Sequence, residues 1–392
     1  MSGASGLRRG SAMGEIHVIA DGALLITDGV IQHVGTSRRL ERLAEARKAD
    51  ELDVSGRVVT PGFVDCFTQL LCGPPRPSSD TGGEDPFAGS SRAYRAWSSQ
   101  RLELEGRKRL RQFVRFGSTT IAGSCGYALN EETELRSLRT LGRLGAAPLE
   151  LAPFLYTTAR AWRRNDAVDP WEILERLGTA LLPAACGKHL LSGVAIGDGF
   201  PGDAVEGYLA CAARLGLPAL VETKGEGVDL ACRGPGVAAV VGLENAGVLH
   251  ARQLSAANRA AVLLPWRAFH GGRTPYAPAR TLIEHGVIVA LATGFDNLTS
   301  PTMSLPMVMA LACTQMRMTP EEALTAATVN AAHALGLGSR LGTLEYGRSA
   351  DLLVMDCGDY REIPLYFGMN PVTMVMRRGE TIFPRVEVID GH

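Results

Sequence analysis

The sequence predicts an α/β fold, a (β/α)8 barrel accompanied by a small β unit built from the two chain ends. Three observations predict it. A long central stretch alternates apolar, strand-like runs with amphipathic helical ones, both ends are rich in short strands separated by turn residues, and 392 residues are enough for one large barrel and a smaller companion.

In chain order, Ile16 to Ala20, Ala23 to Thr27, Val30 to Val34 and Arg57 to Thr60 read as the strands of the first β-rich end. Pro74 to Ser91, rich in Pro, Gly, Ser and Asp, reads as a long loop directly after the first barrel strand. In a barrel the loops that follow strands form the active-site face, so this loop should shape or cover a pocket; a plain surface insertion is the alternative. Ser118 to Ala122 is a strand before the helix Glu131 to Leu144, and the helix Ala204 to Leu215 precedes the strand Ala219 to Glu222. Val237 to Leu243, Ala260 to Pro265 and Val287 to Thr293 are further strands. Pro320 to Leu335 reads as one helix with Thr319 as N-cap and Pro320 at its first position. Ala350 to Asp356, Val372 to Arg377 and Glu380 to Phe383 are the strands of the second β-rich end, with Gly347, Gly358 and Gly379 at turns.

A formal net charge of −1 with both signs interspersed gives no electrostatic reason to expect nucleic acid or an anionic membrane surface as partner, and a small ligand fits better. Met1 to Gly14 lacks the apolar stretch of a secretory signal and no segment reaches membrane-spanning length, which points to the cytoplasm. Eight scattered cysteines, with no Cys-x-x-Cys pair, read as reduced thiols packed as small apolar side chains. No phosphate loop, dinucleotide fingerprint or Gly-x-Ser-x-Gly motif is present, so no nucleotide cofactor is indicated.

Val58-Val59-Thr60-Pro61-Gly62-Phe63-Val64-Asp65 resembles the entry to the first barrel strand of an amidohydrolase. Gly117-Ser118-Thr119-Thr120, Gly126-Tyr127-Ala128-Leu129, Glu132-Thr133-Glu134-Leu135, Ser304-Leu305-Pro306-Met307, Met316 to Leu324 and Gly342 to Leu352 are similar, in order and spacing, to imidazolonepropionases. The likeness runs from about Gly56 to the end. It implies a composite β-sandwich from residues 1–60 and 341–392, a barrel over 61–340, and a homodimer.

The resemblance also implies a divalent metal, usually zinc or iron, held by a His-x-His pair on the first strand, two later histidines and an aspartate on the last strand. Such ligands let the ion acidify a bound water into a nucleophile near neutral pH. Here the matching positions hold Phe67 and Gln69, Glu222, Gly242 and Gly294, and none of the eight histidines falls on them. The expectation is therefore no metal and no cofactor; an oxygen-rich site for a harder cation from Gln69, Glu222, Glu244 and Asp296 is the alternative.

On the substrate side, Arg76 matches the family's carboxylate-gripping arginine, Tyr127 a substrate-contacting tyrosine, and Tyr94 another. Departures fall at Ser124-Cys125-Gly126-Tyr127-Ala128, at Thr158 in place of a histidine, and at Gly225 in place of an acidic residue. Phe67, Gln69 and the two glycines should make the site roomier and more apolar, suited to a larger, partly aromatic ligand. Glu222 and Asp296 are candidate acid-base groups, or else carboxylates paired with a nearby Arg or Lys in place of the metal. His270 is the best-placed histidine for proton transfer, or a solvent-facing loop residue. Lys224 can anchor an anion or pair with Glu222 or Glu226; Cys125 reads as packing rather than nucleophile. These readings converge on a metal-independent enzyme doing acid-base or positioning chemistry (cyclisation, dehydration or isomerisation) on a small organic molecule. The alternatives are a non-catalytic binding protein and a residual C–N hydrolase with an altered metal site.

Overall fold

The computed structural model describes residues 6–74, 86–125, 130–145, 148–159, 169–272 and 275–384. Two strands, β1 (Gly22–Thr27) and β2 (Val30–Thr36), form an antiparallel hairpin across Asp28-Gly29, where both residues take positive φ. An Asp-Gly pair is suited to that turn because its twist matches that of the flanking strands. Ile16 to Ala20, expected as a strand, is irregular: Val18 is two-thirds exposed and no neighbouring strand pairs with the segment.

Strand β3 (Val58–Pro61) marks the exit from the first end. The barrel strands follow: β4 (Phe63–Thr68), β5 (Ser118–Cys125), β6 (Glu150–Thr157), β7 (Gly193–Ile196), β8 (Ala219–Thr223), β9 (Val237–Gly242), β10 (Ala260–Leu263) and β11 (Ile288–Leu291). All are parallel and adjacent in chain order, the eight-stranded arrangement of a (β/α)8 barrel. At the C-terminal end, β12 (Leu352–Met355), β13 (Val372–Arg377) and β14 (Glu380–Phe383) join β3 in one antiparallel sheet of order β14-β13-β12-β3. The hairpin is tied to the same half, since the Ile31 N–H donates to the Arg348 carbonyl and the Ala350 N–H to the Gly29 carbonyl, each at 2.9 Å. The two β-rich ends thus fold together.

Inside the barrel the packing is small and apolar, with Ala122, Ala152, Ala195, Ala239, Ala260 and Ala290 among the inward residues. Outward-facing strand residues pack under amphipathic helices such as Ser99–Arg115 and Glu131–Leu144, whose N-caps Ser98 and Asn130 accept the Arg101 and Thr133 N–H groups. The helix Val329–Ala334 closes the N-terminal end of the barrel. Its Asn330 amide donates to the carbonyls of Val289 and Arg8, fastening the leading segment there.

Two further sequence expectations change. The last third of the long Pro74 to Ser91 loop, from Pro86 on, belongs to a helix, Pro86–Ala96. The helix expected over Pro320 to Leu335 is two helices, Pro320–Ala327 and Val329–Ala334, broken at Thr328. Among the described residues, no helix is long and apolar enough to cross a membrane.

Candidate active site at the barrel mouth

The C-terminal strand ends converge on a cluster of one carboxylate, one guanidinium and two aromatic rings. Phe67 enters it from β4. The β4–β5 register slips between Asp65 and Thr68, giving β4 one extra residue, and such a bulge lets the consecutive Cys66 and Phe67 both join the barrel interior. The Phe67 ring meets Tyr156, from the end of β6, edge to face, with centroids 5.8 Å apart.

Glu222, near the end of β8, is the polar centre. The Tyr156 hydroxyl donates to Glu222 Oε2 at 2.6 Å, and Arg267 Nη1 donates to Oε1 in a close ion pair. Arg267 comes from the short helix Pro265–His270 after β10, where Pro265 occupies the first helical position and so needs no N–H partner. Burial pushes the Tyr156 hydroxyl well above the ordinary tyrosine range, and the Glu222 carboxylate pushes it further the same way. For Arg267 burial opposes the charge, but Glu222, then Asp296 and Tyr156, outweigh it and hold the guanidinium protonated beyond its ordinary range.

Asp296 lies buried on the segment after β11, and its oxygens are spent on its own turn. Oδ1 accepts the N–H groups of Leu298 and Thr299 at 2.6 Å, and Oδ2 accepts the Thr299 hydroxyl at 2.5 Å. It supplies charge to the site rather than a free base. Asp65 bridges β4 to the end of β11 by accepting the Thr293 N–H (3.1 Å) and hydroxyl (2.5 Å). Burial drives its carboxyl up to about 7 against the lowering pull of those Thr293 bonds.

The other sequence-selected residues are more dispersed. Gln69 is half-buried, its N–H donating to the Phe295 carbonyl at 2.7 Å. Lys224 is exposed and does not take Glu222, whose ion-pair partner is Arg267. His270 is the exposed last residue of its helix. Tyr94 is fully buried in the outer helical layer, its hydroxyl 2.6 Å from Ser137 of helix Glu131–Leu144, so it packs against a helix instead of lining the barrel interior. Arg76 and Tyr127 lie outside the described residues. Within the barrel, a cavity lined by Cys66, Phe67, Thr68, Ser124, Phe154 and Leu220 is apolar and about 10 Å³, room for at most a single water.

The donor set does not fit the metal that the fold family implies. Phe67 has no lone pair to offer, and Glu222 is engaged by Tyr156 and Arg267. A Cβ at Gly242 would lie 3.1 Å from Glu244 Oε2, and one at Gly294 3.2 Å from the Leu264 side chain, so neighbouring groups already crowd both positions. Among the described residues no group of three or more His, Cys, Asp and Glu side chains could hold a metal ion. The oxygen-rich alternative does not assemble either, since Asp296 is turned onto its own loop and Glu222 onto Arg267.

Sequence reasoning missed Arg267 and Tyr156. Neither stands at a position the family motifs mark. The available signal was a single guanidinium three residues before His270, just after a barrel strand.

Residues 244–382 match the model of the amidohydrolase family. The chain is 35% identical to an imidazolonepropionase of Solibacter usitatus (strain Ellin6076), covering 98% of this chain and 96% of the relative, and 34% identical to one of Chloroflexus aggregans, covering 97% and 95%. Among solved structures, a 5-methylcytosine deaminase from Klebsiella pneumoniae superposes with a TM-score of 0.73 at 17% identity over 94% of this chain and 96% of that one, a likeness of fold. With near full-length identity above 30% and the same barrel, the chain belongs to the amidohydrolase superfamily and is a homologue of the imidazolonepropionases.

Proposed function

We propose that this amidohydrolase-fold enzyme works without a resident divalent metal. It would hold a small, partly apolar or aromatic organic molecule at the barrel mouth and act on it by acid-base and positioning chemistry, a cyclisation, dehydration or isomerisation. The observation that carries the reading is that Glu222, at a position the resemblance gives to a metal ligand, is bound instead by the Tyr156 hydroxyl and the Arg267 guanidinium. A carboxylate offers roughly four acceptor sites, of which Tyr156 and Arg267 use two, so Glu222 can still take a proton or a hydrogen bond from a ligand. Tyr156, with its raised pKa, stays a donor across the physiological range. Trp266 Nε1 and Arg267 Nε are buried without partners among the described residues, two donors suited to ligand oxygen or nitrogen atoms. Holding a reactant oriented among such groups supplies much of the rate for unimolecular steps.

Metal content of the purified protein tests the reading. It expects none at stoichiometric level and turnover that survives chelation; tightly bound stoichiometric zinc, iron or manganese would overturn it in favour of a C–N hydrolase like the relatives. Glu222→Gln is expected to abolish turnover. Asp296→Asn and His270→Ala are expected to lower turnover less than Glu222→Gln, because Asp296 is committed to its own turn and His270 is exposed; full activity in all three variants would sink the acid-base assignment. A second reading, a non-catalytic ligand- or partner-binding protein, is favoured by the commitment of Asp296 to its own turn and the exposure of His270; ligand binding with no chemical change in any biosynthetic intermediate offered would select it.

We further infer a homodimer. Its support is an uncharged exposed segment, Leu365 to Met369, joined to Phe269 by a ring contact at 6.1 Å.

A further inference from the structure

We propose that the Arg267 guanidinium is this protein's built-in cation, supplying at the barrel mouth the positive charge that a divalent metal supplies in the related enzymes. The inference rests on the metal-independent reading above and concerns how the site stays electrically balanced without an ion.

Where the resemblance places a neutral imidazole, this chain has the anion Glu222, side chain about one-sixth exposed. A carboxylate so enclosed needs a counter-charge and hydrogen bonds or it is strongly disfavoured. Arg267 supplies the charge from the neighbouring side of the barrel. The strand between them, β9, ends in Gly242, which itself carries no side chain. Asp296, buried after β11, adds its field to that of Glu222 at the same guanidinium. The cation therefore answers carboxylates from the fifth- and eighth-strand sides of the barrel, two of the sides from which metal ligands come in the family.

The backbone that carries Arg267 is set by Pro265 at the start of its helix, and the Trp266 and Phe269 rings of the same helix lie 5.2 Å apart. Unlike a metal, this cation cannot dissociate or be chelated, and arginine does not lose its charge at any physiological pH. Arg267 is thus a positioning residue: it acts by binding Glu222 Oε1, which leaves Oε2 to accept the Tyr156 hydroxyl.

A charge-swap cycle tests the proposal on the full chain. Arg267→Met and Glu222→Gln should each lower the melting temperature by several degrees, and the double variant should recover most of the loss, because it removes both charges together. Arg267→Lys should retain part of the stability. In Arg267→Ala, low-millimolar guanidinium ion should raise the melting temperature while urea at the same concentration should not, a readout that an apolar packing role would not move. Additive losses in the double variant, a double variant that fails to fold, or equal responses to guanidinium and urea would each overturn the proposal. Metal content on the same preparations separates the two levels. Stoichiometric metal defeats the metal-independent reading itself, whereas metal-free protein without Arg267–Glu222 coupling defeats only the role given to Arg267.

Discussion

Asp65 and Phe67 are two residues apart on β4, yet only one of them carries its meaning in the sequence. Phe67 is legible because a motif marks its position and phenylalanine cannot bind a metal. Asp65 stands inside the same motif, but nothing local says that its carboxyl closes the barrel against Thr293. Arg267 is harder still, because it reaches Glu222 across 45 residues of chain. Restoring the missing pair tests how complete the loss is. Phe67→His with Gln69→His should not create a tight zinc site, since Gly242 and Gly294 still offer no donor and Glu222 stays with Arg267; sub-micromolar zinc affinity in the double variant would show that the remaining residues can still complete a site. Asp65 gives a pH signature. Its folded pKa of about 7 lies above the unfolded value, so between roughly pH 4 and 7 the folded state holds a proton that the unfolded state has lost. Stability from this group is full below about pH 4, falls as pH rises towards 7 and is flat above, a loss of up to about 4 kcal/mol. Urea midpoints across that range should show the fall in the wild type and a flatter profile in Asp65→Asn.

At the scale of elements, the strands and helix starts that the sequence marks depend on local chemistry, whereas Glu150–Thr157, Gly193–Ile196 and most of the helices carry no such mark. Glu131–Leu144, Val372–Arg377 and Glu380–Phe383 occur with the expected bounds. Thr319 caps its helix as expected and forms a full capping box with Glu322, which Arg280 also grips with two guanidinium nitrogens at 2.9 and 3.1 Å. Thr319→Ala should cost about 1 kcal/mol by chemical denaturation. The end of that helix was not readable, because its cause lies 14 residues downstream. Gly342, at φ +92°, brings its backbone against Thr328 and Val329 so closely that a Cβ there would sit 2.6 Å from Val329 Cα. The break at Thr328 accommodates that approach, so Gly342→Ala should destabilise by roughly 2 kcal/mol or more through strain and overpacking. A neutral effect in a thermal melt would show that the break has another origin.

For the molecule as a whole, composition and alternation indicated a barrel, but surface association is written in side chains that periodicity does not rank. From Ile363 to Met376 the sequence has no charged residue, and Leu365, Tyr366, Phe367 and Met369 are each more than half exposed. Backbone hydrogen bonds from the Leu365, Tyr366, Phe367 and Met369 N–H groups, all accepted within the segment 362–366, hold these side chains in a defined turn. With Phe269 they expose on the order of 600 Å², at the upper end of what a monomer leaves in one apolar patch and approaching the roughly 800 Å² per partner of a standard interface. Two copies meeting through an uncharged patch face no like-charge repulsion, which is what a two-fold contact requires of itself. Light scattering on a sizing column is expected to give twice the chain mass for the wild type and the single mass for Phe367→Asp. A monomeric wild type at micromolar concentration would remove the patch as a self-contact. Because Phe269 shares its short helix with Arg267, the Phe367→Asp monomer should also melt at lower temperature with a weakened Arg267–Glu222 coupling. An unchanged coupling in a monomeric variant would separate assembly from the site.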